Sequence, residues 1–232
     1  MKARLLDSLS AEIAAMGGRA ETQLTDVIDA VARRDPKLCD EIKRRDEEID
    51  LANARVEKSV EHLISSTRLN ARETRVALAS VKIARELERV GDLAKNIAKR
   101  GRVLCACDVP GPLPGVLRMG RISRNRLTET LDAYAHLNVE KALSVWKNDD
   151  EIDELYNSLY EDILLDMMRK PENVNSSTHL VFIAKNFERV GDHATNVAEA
   201  VHYFLTGDQL DDARPKTDET SFAIVDAPEE NG

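Results

Sequence analysis

Acidic side chains recur at four-residue spacing in four places along the chain. Glu88, Asp92 and Asn96 follow one another at i, i+4 and i+8, which stacks them along one face of an α-helix. The same spacing recurs in a second triplet and in two pairs of aspartates. The first acidic set comprises Asp46, Asp50, Glu88, Asp92 and Asn96, and the second comprises Asp149, Asp153, Glu188, Asp192 and Asn196.

Such a pattern costs stability unless something offsets the repulsion. Like charges four residues apart destabilise a helix by a few tenths of a kcal/mol, and a mid-helix glycine such as Gly91 or Gly191 costs about 1 kcal/mol relative to alanine. A hard cation such as Mg²⁺, Mn²⁺ or iron would offset the repulsion, because it binds carboxylate and amide oxygens. The glycine would leave room for an ion, a water or a neighbouring helix. A solvated acidic face is the alternative.

The elements that position these residues are duplicated. Ala84–Arg100 and Ala184–Ala200 are identical at nine of seventeen positions, at an offset of 100. Upstream the offset is 103, as in the segments Asp46–Asp50 and Asp149–Asp153. The chain therefore contains a repeated unit of about 100 residues.

Proline and glycine divide each unit into helices. Asp35-Pro36 ends one helix and begins the next, and the cluster at 110–115 separates the units. We predict three helices per unit, at 3–34, 37–67, 71–106, 115–146, 149–169 and 174–206. Apolar residues at alternating spacings of four and three form the seam of each third helix, and the acidic triplets lie nearly opposite that seam. We therefore expect an all-α fold of two tandem three-helix bundles, with the acidic oxygens on the bundle surface.

Composition narrows the functional class. The net charge is −9, and residues 208–232 alone carry eight acids and two bases. We predict domains at 1–109 and 110–207 and an acidic, flexible tail at 208–232. The sequence shows no strongly basic face of the kind that would indicate nucleic-acid binding. Three cysteines suggest no disulfide framework, and no apolar run is long enough to span a membrane. We expect a soluble, cytoplasmic protein.

The repeated motifs resemble those of a known family. Glu88-Arg89-Val90-Gly91-Asp92 and the longer stretch 188–196 are similar to the signature of the PhoU family of phosphate-transport accessory proteins. The acidic segments at 46–50 and 149–153 match that family's other motif. The resemblance covers about residues 1–207. At 68–75 the chain departs from the family, because the usual proline of that turn is absent.

The resemblance implies a fold, a cofactor and partners. It implies two three-helix bundles that bind metal clusters through the ten residues of the two acidic sets, the metal being iron, zinc, manganese or magnesium. It also implies an adaptor that couples the ATPase of the high-affinity phosphate ABC transporter to a phosphate-sensing histidine kinase. Such an adaptor is a negative regulator that represses the phosphate-starvation response when phosphate is plentiful. The exposed bundle flanks are consistent with a homodimer.

Two alternatives to a metal-binding adaptor remain open on the residues alone. A metal-free helical scaffold would use the acidic sets only as a partner-docking surface. A carboxylate-metal enzyme would need an open coordination position in a pocket, and the absence of histidine ligands counts against it. Glu199 and His202 form a Glu-x-x-His pair of the kind found in di-iron bundles, but the first unit has no second copy. We therefore expect no catalytic residues and no enzyme activity.

Overall fold

The described part of the chain is built from α-helices joined by short turns. The computed structural model describes residues 2–108, 110–210, 217, 218 and 220, and no strand occurs among them, as predicted. Most of the predicted tail lies outside the described residues. No described helix has an apolar stretch long enough to cross a membrane. The helices are α1 (Lys2–Arg33), α2 (Pro36–Ser66), α3 (Ala71–Leu104), α4 (Leu113–Ala135), α5 (Val139–Lys147), α6 (Asp150–Arg169) and α7 (Val174–Thr206), with a 3₁₀ turn at Pro171–Asn173.

The first repeat forms the predicted three helices. Asp35 caps α2, because its side chain accepts hydrogen bonds from the backbone N–H groups of Lys37 and Leu38, and Pro36 occupies the first helical position. Asn70 caps α3 and forms a capping box with Glu73. These caps fix both turns, so α2 runs antiparallel to α1 and α3.

The second repeat corrects the predicted helix at 115–146. That prediction was wrong, because α4 ends at Ala135 and Leu137 adopts a left-handed φ of 52°. Asn138 then caps α5 by accepting from the N–H of Lys141. At the offset of 103, Leu137 and Asn138 match Arg34, whose φ is 54°, and Asp35. The segments α5 and α6 together therefore correspond to α2, and Asn148-Asp149 interrupts that helix.

The core follows the predicted seams of the third helices. Ile83, Leu87 and Val90 of α3 are fully buried, as are their counterparts Ile183, Phe187 and Val190 of α7. These two helices pack against each other in the centre of the molecule. They run antiparallel, since Glu86 of α3 contacts His193 of α7 and Arg100 lies over the ring of Phe182. The contact joins the two repeats.

Candidate metal site

Four of the ten acidic-set residues are buried, contrary to the expectation of a surface location. Asp46, Asp149, Asp153 and Glu188 are between 1% and 4% exposed. The expectation was wrong for these four residues because it considered each helix alone. A residue opposite the apolar seam of one helix still lies in a groove when a neighbouring helix packs beside it, and here α2 lies beside α3 and α6 beside α7.

The two mid-helix glycines permit this close packing. A Cβ atom at Gly91 would lie 3.0 Å from Ile49 Cδ1 and 3.1 Å from Asp46 Oδ1. At Gly191 it would lie 2.7 Å from Ile152 Cδ1, which is closer than real Cβ contacts. Of the three occupants considered for this space, the neighbouring helix is the one observed. The glycines thus bring the aspartates of one helix close to the acids of the next.

Three carboxylates of the second acidic set converge. Asp153, Glu188 and Asp192 each offer one oxygen, and these three oxygens lie within 4.8 Å of one another. Two oxygens bound to the same cation at about 2.0 to 2.6 Å are separated by at most about 5 Å. The spacing therefore suits a single hard cation.

The electrostatics of Glu188 also suit a cation. Burial, reinforced by the neighbouring charge of Asp192, raises the pKa of Glu188 from 4.5 to about 7, although Lys185 opposes the rise. Lys185 Nζ lies 3.0 Å from Glu188 Oε2, yet this oxygen accepts no aligned hydrogen bond among the described residues. A buried carboxylate with an unused lone pair is a group that a metal ion would stabilise.

The other two members of the second set make different contacts. Asp149 Oδ1 accepts a hydrogen bond of 2.7 Å from the hydroxyl of Thr195, and Asp149 is not part of the converging group. Asn196 donates to Glu86 Oε2 at 3.0 Å, beside His193 Nδ1 at 2.7 Å from the same oxygen. Asn196 therefore helps to join α7 to α3 of the other repeat.

The first acidic set contains a lysine among its carboxylates. Lys95 Nζ lies 2.5 Å from Asp46 Oδ2 and 3.5 Å from Asp92 Oδ1. Burial, followed by the charge of Asp46, raises the pKa of Asp50. Burial likewise raises the pKa of Glu88, against the opposing effect of Arg89. The ammonium of Lys95 thus lies where a cation would bind, and the second repeat has Thr195 at this position.

Arg89 and Asn96 complete the first set. Arg89 pairs with Glu88 Oε2 at 3.5 Å and with Asp92 Oδ2 at 3.6 Å, so it acts as a counter-ion of the motif that contains it. The exposed Asn96 accepts from Lys99 Nζ at 3.3 Å through its amide oxygen.

Sequence reasoning missed the two lysines. Lys95 follows Asp92 by three residues and Lys185 precedes Glu188 by three, a spacing that places oppositely charged side chains side by side on a helix. That spacing was the available signal. Each acidic set thus has a lysine as its internal counter-ion, Lys95 in the first set and Lys185 in the second, and the two lysines lie at different positions in the repeats.

Comparison with known proteins agrees with this architecture. The family model described as "PhoU domain" matches residues 13–101 and 116–201. A "Phosphate-specific transport system accessory protein PhoU homolog" of Caulobacter vibrioides is 44% identical over 214 residues, covering 92% of this chain and 93% of that one. A homolog with the same description from Rhizobium meliloti is 39% identical, covering 93% and 92%.

Solved structures show the same fold. The crystal structure of PhoU from Pseudomonas aeruginosa has a TM-score of 0.87 and 27% identity, covering 90% of this chain and all of that one. The PhoU structure from Streptococcus pneumoniae, described as a phosphate transport system regulatory protein, has a TM-score of 0.83 at 23% identity, covering 91% and 100%. The similarity to the Streptococcus pneumoniae structure shows a shared fold only.

Fold and site together define an all-α protein of two tandem three-helix repeats with an acidic motif in each. The chain belongs to the PhoU family. Its relatives are named as accessory proteins of phosphate transport, and a general role in phosphate-transport regulation fits this chain.

Proposed function

We propose that this chain is a metal-binding regulatory adaptor of phosphate homeostasis. It couples the high-affinity phosphate ABC transporter, through its ATPase, to a phosphate-sensing histidine kinase. It represses the phosphate-starvation response when phosphate is plentiful. Family membership supports the regulatory role, and the descriptions of its relatives as accessory proteins support a role other than catalysis.

The observation that carries the metal-binding part is the convergence of Asp153, Glu188 and Asp192. These residues would hold a divalent or trivalent cation, namely iron, zinc, manganese or magnesium. A bound ion would place positive charge among Asp153, Glu188 and Asp192, and so would hold α6 against α7. The bundle would then be stiffer and present a more fixed surface to its partners.

Metal content of the whole protein tests this proposal. Untagged protein purified without chelator is compared by elemental analysis with Asp192→Ala, with Asp92→Ala, and with the double variant. Glu154→Ala is the matched control, since Glu154 is an exposed acid beside Asp153 on the same helix. We expect Asp192→Ala to lose metal and Glu154→Ala to retain it.

The metal-free scaffold is the competing function, and the same variants separate the two. Binding to the purified transporter ATPase and a phosphate-responsive reporter in cells are measured beside metal content. The scaffold function would be supported by two results together. The protein would contain no metal even after Mg²⁺, Mn²⁺, Fe²⁺ or Zn²⁺ is added, and the acidic-set variants would still lose ATPase binding. The proposed adaptor function would be refuted if the double variant left metal content, ATPase binding and repression all unchanged.

A further inference from the structure

A short segment near the end of the chain lies against the second acidic set. The backbone N–H of Thr217 donates to Asp153 Oδ2 at 3.0 Å, and the Thr217 carbonyl accepts from Asn157 Nδ2 at 2.6 Å. Asp153 is one of the three converging carboxylates. The segment therefore contacts the candidate metal site directly.

The next residue binds the counter-ion of the same site. Asp218 Oδ2 lies 2.6 Å from Lys185 Nζ, and this ammonium is also 3.0 Å from Glu188. Asp218 Oδ1 accepts from the N–H and hydroxyl of Thr220 at 3.0 and 2.7 Å. Both oxygens of Asp218 are thus engaged, one within the segment and one on the bundle. Thr217 and Asp218 therefore both contact residues of the second acidic set or its counter-ion.

One of the groups that hold the segment occurs in the second repeat alone. Asn157 corresponds to Ala54 at the offset of 103, and Lys185 corresponds to Arg85 at the offset of 100. Ala54 has no side-chain donor for a carbonyl. The first acidic set therefore lacks the side-chain amide that holds the Thr217 carbonyl beside the second set.

The chain is long enough for this contact to be intramolecular. Nine residues lie between Gly207, which ends α7 with a left-handed φ of 89°, and Thr217, and the ten steps from one Cα to the next span at most about 33 to 36 Å. The axial distance from Thr206 back to Lys185 along α7 is about 32 Å, at about 1.5 Å per residue. The segment also lies beyond residue 201, where the family match ends.

We propose that Thr217, Asp218 and Thr220 form an intramolecular cover of the second acidic set, which a cation must displace to bind Asp153, Glu188 and Asp192. The part concerning the cation rests on the proposed metal-binding function. The cover makes the two repeats inequivalent, since it controls access to one acidic set and leaves the other unaffected. A cover in place nine-tenths of the time would weaken the apparent affinity for metal about tenfold.

The first experiment needs no metal. Hydrogen exchange is measured with chelator present on peptides that contain Thr217–Thr220. We expect protection in the full-length protein and its loss in Asp218→Ala, with Asp208→Ala as the matched control. Asp208 is an exposed acid of the same tail, so its replacement removes the same charge from outside the contact. Rapid exchange in the unmodified protein would overturn the cover, whatever the metal measurements show.

The second experiment measures Mn²⁺ binding in a chain that carries Asp92→Ala, which weakens the first acidic set. We expect Asp218→Ala to lower the dissociation constant about tenfold and Asp208→Ala to change it less than about twofold. We also expect saturating Mn²⁺ to abolish the protection of the segment. A weaker affinity in Asp218→Ala would mean that the segment supplies a ligand, which overturns the cover. Protection without any Mn²⁺ binding would refute the metal function and leave the covering contact in place.

Discussion

Replacing Glu188 with glutamine should stabilise the metal-free protein above neutral pH. Burial raises the folded-state pKa of Glu188 from 4.5 to about 7. The folded state therefore holds this proton more tightly than the unfolded state, and the free energy of unfolding falls as the pH rises from about 4.5 to about 7. Since a tenfold change in proton affinity is about 1.4 kcal/mol, the ionised carboxylate costs the folded state about 3 kcal/mol above pH 7.

The variant removes that cost without changing the shape of the side chain. In chelator at about pH 8, we expect Glu188→Gln to raise the free energy of unfolding by up to about 3 kcal/mol, whereas at about pH 5 the gain should be less than about 1 kcal/mol. Urea unfolding at the two pH values measures both quantities. Glu88→Gln is the matched control, because Glu88 is more exposed and its gain should be smaller.

Added metal should cancel most of this difference in stability. Mn²⁺ at about 100 times its dissociation constant stabilises a protein that binds it by about 2.7 kcal/mol, and the glutamine variant should lose most of this increment. A Glu188→Gln variant that was destabilised equally at both pH values would refute the reasoning. In that case the ionised carboxylate of Glu188 would stabilise the folded state through its ion pair with Lys185 instead of destabilising it.

Three further predictions follow from single contacts. Lys95→Thr, which introduces the second-repeat residue, should destabilise the metal-free protein by about 1–3 kcal/mol because buried Asp46 loses its ammonium partner, and should add Mn²⁺ binding at the first set, measured by calorimetric titration. Gly120→Ala should cost about 1–3 kcal/mol in urea unfolding, because its Cβ would lie 2.7 Å from the Phe187 ring. Asn70→Ala should cost about 0.5–2 kcal/mol by the same measurement, since it removes the α3 cap.

Much of the fold could be predicted because the signals are local. The turn at Asp35-Pro36 and the apolar seam of α7 depend on residues close together in sequence, and both predictions were correct. The turn at Leu137 was missed because neither glycine nor proline marks it. Its positive φ matches that of Arg34, so a closer comparison of the repeats would have located it.

The candidate site was less predictable because it depends on two helices at once. Spacing correctly placed Glu188 and Asp192 on one face of α7, but the burial of Glu188 depends on how α6 packs against that face. The contact of Thr217 with Asp153 spans 64 residues. No periodicity in either segment could indicate it.

Duplication kept the acidic motif in both repeats, whereas the residues around it diverged. In the first set an ammonium lies 2.5 Å from Asp46, so an arriving cation must displace an internal charge and gains less. In the second set Lys185 lies 3.0 Å from Glu188, yet the pKa of Glu188 stays raised, so a cation there would relieve a cost that the metal-free fold bears and would displace the segment at Thr217. If a cation binds as proposed, the change between metal-free and metal-bound states would include release of the Thr217 segment at the second set alone. Because a ligand shifts a conformational equilibrium only by its differential affinity, metal-dependent control of partners should act mainly through the second repeat.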